Sequence, residues 1–333
     1  MSKDGTAPVE RSSAAPRRAG SRAVRCGLLL FFAACVPEVG SPPSLLTTPR
    51  VLAVRSEPPE VSPGEAAQLF LTVAGPTNGA ELGALDGALS DTRWAVCLAP
   101  KPPVDDRFTN ERCLTDESAV QPLALRGQTV RVPIPSEACA RFGPQTPPSL
   151  PEQPPGRPRD PDETGGYYQP VRVQVPALGL VALAAVRIVC GLALTTPEVA
   201  AEYRTQYRRN RNPEIAGLVL QQDGTAVPSW AVPVGAMLVL SLIPSTDSAE
   251  PFLRLDPATR RLETSHEALR VSWFAAQGHF AFSTTAGKDS PAIGNTWHAP
   301  DEPGNVVVWA VLRDSRGGVA VWSQSIDVGR GNR

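Results

Sequence analysis

Apolar and polar positions alternate with a period of two along much of this chain, and that spacing predicts strands. Leu69, Leu71 and Val73 alternate with Gln68, Phe70 and Thr72, while Val51 to Arg55 forms an earlier run across "Ser62-Pro63-Gly64-Glu65", whose Pro-Gly pair suits a tight turn. Arg93 to Cys97 is a third strand, and "QTVRVPI", "PVRVQV" and "LVALAAVRIVCGLAL" supply more. From Pro213 onward the strands fall in "PEIAGLVLQQDG", "AMLVLSL", "LRVSWFAA" and "NVVVWAVLRDSRGGVAVWSQSIDV". The last is the clearest hairpin: Val306, Val308, Ala310 and Leu312 alternate with Val307, Trp309 and Val311, Asp314 to Gly318 reverses direction, and Val319 to Val328 returns. Short strands separated by turn signals predict antiparallel sandwiches.

Helix signals concentrate in one place. In "TTPEVAAEYRTQYRRNRNPEI", Thr196 can cap, Pro197 fits the first turn, Glu198 suits the helix dipole and Pro213 lies just past the end. Val199, Tyr203 and Tyr207 share a face, so residues 196–212 are expected to form a helical linker between a body at 49–195 and another at 213–330. Within the first body, residues 143–162 hold eight prolines in twenty, which cannot supply ladder donors and predict an extended loop.

The start of the chain has a different pattern. An Arg-rich stretch leads into nine mostly apolar residues, Cys26 to Ala34, the layout of a secretory signal peptide over 1–34, with 35–48 as a disordered tether. Nine residues at ~1.5 Å each cover about half of a ~30 Å hydrocarbon core, so a spanning helix is the poorer reading. "Phe32-Ala33-Ala34-Cys35" resembles the lipobox of bacterial lipoproteins, although Phe32 stands where Leu is usual. That resemblance implies lipid attachment at Cys35, a membrane partner, and delivery to the outer membrane, since Val36 rather than Asp follows the Cys. The alternative is a plain cleaved signal with Cys35 a bystander.

Composition narrows the partners. Of 333 residues 36 are proline, roughly twice the ~5% usual, which fits strands joined by long loops. Beyond residue 34 the chain has 26 basic and 31 acidic residues, so a mildly acidic body gives no reason to expect nucleic acid. With Cys26 lost in the signal and Cys35 lipidated, Cys97, Cys113, Cys139 and Cys190 remain, enough for two disulfides by any of three pairings in an oxidising compartment. No C-x-x-C is present, which disfavours a zinc or thioredoxin-like motif.

Catalytic motifs are incomplete. "His266-Glu267-Ala268-Leu269-Arg270" starts as a zinc-protease motif but puts Arg270 where the second ligand must stand, and "Gly287-Lys288-Asp289" ends a phosphate loop with an acid of the wrong sign. With three histidines and no G-x-S-x-G, neither enzyme activity nor a cofactor is expected. Three weaker candidates remain. Asp160, Asp162 and Thr164 have calcium-loop spacing, but Val171 replaces the closing Glu and a solvated turn is the alternative. Tyr167 and Tyr168 in "GGYYQP" could stack on sugar rings. Arg204, Arg208, Arg209 and Arg211 could meet lipopolysaccharide or an acidic glycan, or be an ordinary solvated linker.

"TWHAPDEPGNVVVWAVLRDSRGGVAVWSQSIDV" resembles the end of PKD-like or bacterial Ig-like modules, and "PRVLAVRSEPPEVSPGE" resembles their first strand and turn. Trp94 is placed like the core tryptophan of immunoglobulin-type sandwiches. The whole layout is similar to surface lipoproteins of myxobacterial type. The resemblance implies an all-β fold of two antiparallel Ig-like β-sandwich domains joined by a short helical linker. It also implies a non-enzymatic envelope lipoprotein with an adhesive, spacing or assembly role and an envelope protein or glycan as partner. The alternative is an accessory glycan-binding lipoprotein that uses the Pro-rich loop and "GGYYQP".

Overall fold

A computed structural model describes residues 41–76, 87–100, 110–144, 163–193, 195–287 and 291–329. The expected signal peptide, Cys35, most of the Pro-rich loop with Asp160 and Asp162, and Lys288-Asp289 lie outside the described residues. The described residues form one compact unit.

In its first half the strands are β1 (Arg50–Glu57), β2 (Glu60–Val61), β3 (Ala66–Ala74), β4 (Arg93–Cys97), β5 (Val120–Arg126), β6 (Thr129–Pro133), β7 (Gly166–Val175) and β8 (Leu180–Val189). They make one sheet in the order β1-β3-β6 and another in the order β2-β8-β7-β4-β5. All pairings are antiparallel except β2 with β8. The period-two pattern sets which face is buried: Ala67, Leu69 and Leu71 of β3 enter the core with Trp94, Val96, Val171, Val173, Val186 and Ile188 from the facing sheet. Trp94 is fully packed and its indole N–H donates to the Gly127 carbonyl at 2.8 Å, so the ring is buried without an orphaned donor.

The second half repeats this plan. Its strands are β9 (Ile215–Gln222), β10 (Thr225–Ala226), β11 (Ala231–Pro233), β12 (Met237–Pro244), β13 (Pro251–Leu255), β14 (Leu262–His266), β15 (Arg270–Ala275), β16 (His279–Phe280), β17 (Thr284–Ala286), β18 (Ile293–His298), β19 (Gly304–Arg313) and β20 (Val319–Gly329). Two five-stranded sheets, β10-β9-β12-β18-β16 and β11-β20-β19-β15-β17, enclose a core around Trp273 and Trp297, and β13-β14 stands apart as a hairpin. Again one short strand runs parallel, β11 with β20.

In each half the first strand splits. Its long part pairs in one sheet, and its short continuation crosses to run parallel to the last strand of the other. The third long strand, β4 or β15, places a buried tryptophan in the middle of the core. This strand order, with last, penultimate and third strands in one sheet and first, second and fifth in the other, is the immunoglobulin-like arrangement. The fold is therefore all-β: two Ig-like sandwiches joined through the helix Pro197–Gln206.

The disulfides do not follow the inter-sheet bridge of antibody domains. Cys97, at the end of β4, bonds Cys113 in the one-turn helix Arg112–Thr115, and Cys139, in the short helix Ala138–Phe142, bonds Cys190 just past β8. Each ties a loop helix to the end of a strand.

Part of the expected tether is packed instead. Leu46 is completely buried, its N–H donates to the Ala275 carbonyl at 2.9 Å, and the Ala275 N–H donates to the Ser44 carbonyl at 2.8 Å. Residues 44–46 thus pair with the end of β15. Leu46 also joins a cluster with Leu52, Ala53 and Ala74 of the first sandwich and Val307, Trp309, Val311 and Val319 of the second. The two sandwiches share an apolar interface.

Candidate functional site

The linker helix begins as its sequence dictates, with Thr196 Oγ1 accepting from the Val199 N–H at 3.4 Å and proline in the first turn. It ends at Gln206, earlier than the 196–212 expected, and residues 207–214 run without regular structure into β9. Tyr203 on the helix and Tyr207 just past its end turn toward the first sandwich, with the rings 4.7 Å apart.

Those tyrosines close a buried charge pair. Glu60 on β2 and Arg187 on β8 are register partners, both almost fully buried, and Arg187 Nε donates to Glu60 Oε1 at 3.0 Å. The rest of each group is satisfied locally, as burial requires. Tyr207 Oη donates to Glu60 Oε1, the Asn210 N–H donates to Glu60 Oε2 at 2.7 Å, and Arg187 Nη2 donates to Thr164 Oγ1 at 2.8 Å. Burial, reinforced by the Glu60 charge, pushes the Tyr207 hydroxyl up to about 12, so it stays a donor at any ordinary pH. Tyr203 donates to the Thr164 carbonyl at 2.8 Å, and burial moves its hydroxyl upward as well.

The two glycines of "GGYY" make room for this. Gly165 has φ 69°, and a Cβ there would overlap the Tyr203 hydroxyl; a Cβ on Gly166 would overlap the Arg187 guanidinium.

A second polar cluster is built by the turn between β19 and β20. Asp314 Oδ1 accepts from the N–H groups of Arg316 and Gly318 at 2.8 and 2.9 Å, which shapes the turn. The turn aims Arg316 inward: Nε donates to Glu267 Oε1 at 2.6 Å, Nη2 to Glu250 Oε2 at 3.2 Å and Nη1 to the Arg208 carbonyl at 3.0 Å. Its guanidinium also lies 5.1 Å from the Phe252 ring centre. Burial, then the Asp314 charge, pushes Glu267 up to about 7 against the pull of Arg316. Asp314 is also raised by burial, against its two backbone donors.

Asn210 joins the two clusters, and Asn212 ties the two sandwiches beside it. Asn210 gives its N–H to Glu60 of the first sandwich and its side-chain amide to Asp314 of the second, at 3.3 Å. Asn212 Nδ2 donates to the Ser56 carbonyl at 2.8 Å, while its Oδ1 accepts from the Val319 N–H at 2.8 Å. Further links cross nearby: Arg313 Nη2 donates to the Leu52 carbonyl at 2.8 Å, and Leu255 on the β13-β14 hairpin donates its N–H to the Glu163 carbonyl at 2.7 Å.

The candidates from sequence are distributed unevenly around this junction. Arg209 pairs with Glu65 and Ser62 of the first sandwich, and Arg211 with Glu250 of the second, while Arg204 and Arg208 have exposed side chains. The four arginines therefore do not form one free basic patch. Tyr167 is 3% exposed within the first core, and Tyr168 lies half-buried with its ring 5.9 Å from the Arg187 guanidinium. Thr164, the described member of the calcium candidate, already offers its hydroxyl oxygen to the Arg187 cation. Glu267, noticed as part of a truncated zinc motif, is the carboxylate that receives Arg316.

Glu60, Arg187, Asn210, Asn212 and Arg316 have no motif. Arg187 leaves one trace: it is a lone charge inside the otherwise apolar "LVALAAVRIV", and such a charge needs a buried partner.

The junction makes stability depend on pH. Glu267 holds its proton up to about 7 when folded and releases it near the usual 4.5 when unfolded, so its contribution is full below 4.5 and is lost as pH rises to about 7. Between those limits the free energy of unfolding is expected to fall by up to about 1.4 kcal/mol per pH unit. Glu267→Gln should flatten the slope in urea titrations at pH 5, 6 and 7; an unchanged slope would show that Glu267 is not the group responsible.

No protein-family model matches the chain, and no curated protein sequence matches it. Among solved structures it is similar to fibronectin(III)-like modules of Clostridium thermocellum CbhA, at 11% identity and TM-score 0.25, over 84% of this chain and 95% of that one. It is also similar to the D0-D1 domain of intimin, at 9% identity and TM-score 0.21, over 84% and 99%. The Yersinia pseudotuberculosis adhesin InvE aligns at 11% identity and TM-score 0.22, over 87% of this chain and 62% of that one. The fold assignment rests on the strand order described above. Among the described residues no helix is long and apolar enough to cross a membrane.

Proposed function

We propose that this chain is a non-enzymatic envelope protein, exported and held to a membrane by lipid on Cys35, whose two docked sandwiches act as an adhesive, spacing or assembly module. The observation that carries the reading is the junction. Asn210 and Asn212 each bond both sandwiches, and Val307, Trp309 and Val311 cover Leu52 and Ala53. A linker fastened at both ends suits a protein that holds surfaces in a fixed relation. Each buried ion pair lies within one sandwich, and the linker adds the bonds that depend on docking: the Asn210 N–H to Glu60, its amide to Asp314, and the Arg208 carbonyl to Arg316. Loops and sheet edges away from the junction supply the contact surface. Two disulfides support export, since such bonds persist in oxidising compartments.

The test is labelled palmitate fed to a Gram-negative host that expresses the full chain. Label is expected in the membrane-bound product and is expected to vanish in Cys35→Ser. Unlabelled, freely soluble wild-type protein would overturn the anchored reading, and equal labelling of Cys35→Ser would move the lipid to another residue.

A further inference from the structure

The chain has two methionines and three histidines, and Met237, His298 and His279 fall in one row across three neighbouring strands. Met237 on β12 is the register partner of His298 on β18, which is the partner of His279 on β16. Partners in a sheet share a face, and the next row settles which one: Leu238, Trp297 and Phe280 are all buried in the core, so Met237, His298 and His279 stand on the outer face. A slip of one residue would turn the three inward, so the buried row fixes the outer one.

The outer row is open to solvent. Met237 is 63% exposed, His279 is exposed and His298 is half-buried. The two imidazole rings are parallel to within 2°, with centroids 4.5 Å apart. Gly278, at φ 71°, makes the turn that seats β16 on β18; a Cβ there would overlap the His298 carbonyl. The backbone is thus shaped to lay one histidine on the other, at the end of a row whose third member is a thioether.

We propose that His279, His298 and Met237 form a surface site for copper(I). Metal–nitrogen bonds of ~2.0–2.1 Å place two ligand nitrogens on one ion roughly 3.3–3.5 Å apart. In the stacked pair the nitrogen lone pairs lie in parallel ring planes and do not converge, so an ion is held once one of these solvent-facing rings turns about χ2, a broad torsion for histidine, to aim its nitrogen toward the other. Met237 flanks His298 on the other side of the row, one strand spacing away, with a flexible side chain long enough to span that gap. Thioether sulfur is a soft ligand that selects copper(I) over zinc, calcium or magnesium. Among the described residues no group of three or more His, Cys, Asp and Glu is placed to hold a metal.

The experiment uses the full chain with Cys26→Ala and Cys35→Ala, leaving Met237 and Met1 as thioethers and the other four cysteines in disulfides. Copper(I), kept reduced with ascorbate, is offered in competition with bicinchoninate. One equivalent is expected to transfer to the protein, with X-ray absorption showing nitrogen and sulfur neighbours. His279→Ala and His298→Ala should each weaken uptake by about tenfold or more, and Met237→Leu should do the same for copper(I) while leaving copper(II) uptake by the imidazole pair unchanged. Circular dichroism checks that these surface variants remain folded. No transfer to the wild type, full uptake by the double histidine variant, or a Met237→Leu protein that matches wild type for copper(I) would each overturn the site.

Discussion

At pH 8, above the point where folded Glu267 gives up its proton, Arg316→Ala is expected to lower the free energy of unfolding by about 3–5 kcal/mol, the usual cost of removing one partner from a buried ion pair. The guanidinium is buried and faces Glu267, which is equally buried, and Glu250, which is nearly so. Asp314 lies at the base of the same turn. Without Arg316, Glu267 loses the cation that offsets its desolvation. Glu250 keeps Arg211, an exposed partner that is screened by solvent. The substitution also strips the donor from the Arg208 carbonyl, so the linker loosens where it meets the second sandwich. Urea unfolding is the measurement. Because two sandwiches are involved, the transition should also broaden or split as the junction stops coupling them. The control is Arg316→Met with Glu267→Leu, which removes both charges and should recover much of the loss. A decrease below about 1 kcal/mol for Arg316→Ala would mean that the cluster is hydrated and contributes little.

The same junction shows how far the sequence could be read. The strands were legible wherever one face is wet: Leu69 and Leu71 inward, Gln68 outward, and the β19-β20 hairpin with its Asp-Ser-Arg-Gly-Gly turn. In β19 both parities are apolar, because the face opposite the core carries Val307, Trp309 and Val311 into contact with Leu46, Leu52 and Ala53, more than 250 residues earlier. Alternation alone names the inner face and cannot name what covers the outer one.

Strands with a polar residue turned inward were missed for a related reason. In β18, Asn295 lies between Ile293 and Trp297 on the buried face, where its amide bonds the Phe282 backbone, and this breaks the apolar period. In β5, Pro122 and the exposed Leu125 describe an edge strand without a core signature. The clamps themselves are long-range pairs: Glu60 finds Arg187 at 127 residues' separation and Asn210 at 150. Nothing local marks such partners. The disulfide pairing was open for the same reason, since spacing does not distinguish the three possibilities.

The bond between Cys139 and Cys190 is expected to be the more stabilising of the two. It spans 51 residues against 16 for Cys97–Cys113, and chain-entropy arguments give about 4 and about 3 kcal/mol for closing loops of those lengths. Alanine pairs alone would confuse this with packing, because Cys97 and Cys113 are fully buried and their truncation also empties core volume. Reduction separates the two effects. In a Cys97→Ala, Cys113→Ala protein a thiol reagent opens only Cys139–Cys190, and the urea midpoint should fall by the equivalent of about 4 kcal/mol; in Cys139→Ala, Cys190→Ala it should fall by about 3. The reverse order would mean that native packing, rather than the freedom of the unfolded loop, sets the contribution. Together the two bonds supply about 7 kcal/mol, comparable with the ~5–15 kcal/mol that holds an ordinary domain folded. The chain made in a reducing compartment is therefore expected to be largely protease-sensitive, and to become resistant once oxidised. That outcome links folding to export independently of any lipid, and equal resistance of the reduced and oxidised proteins would break the link.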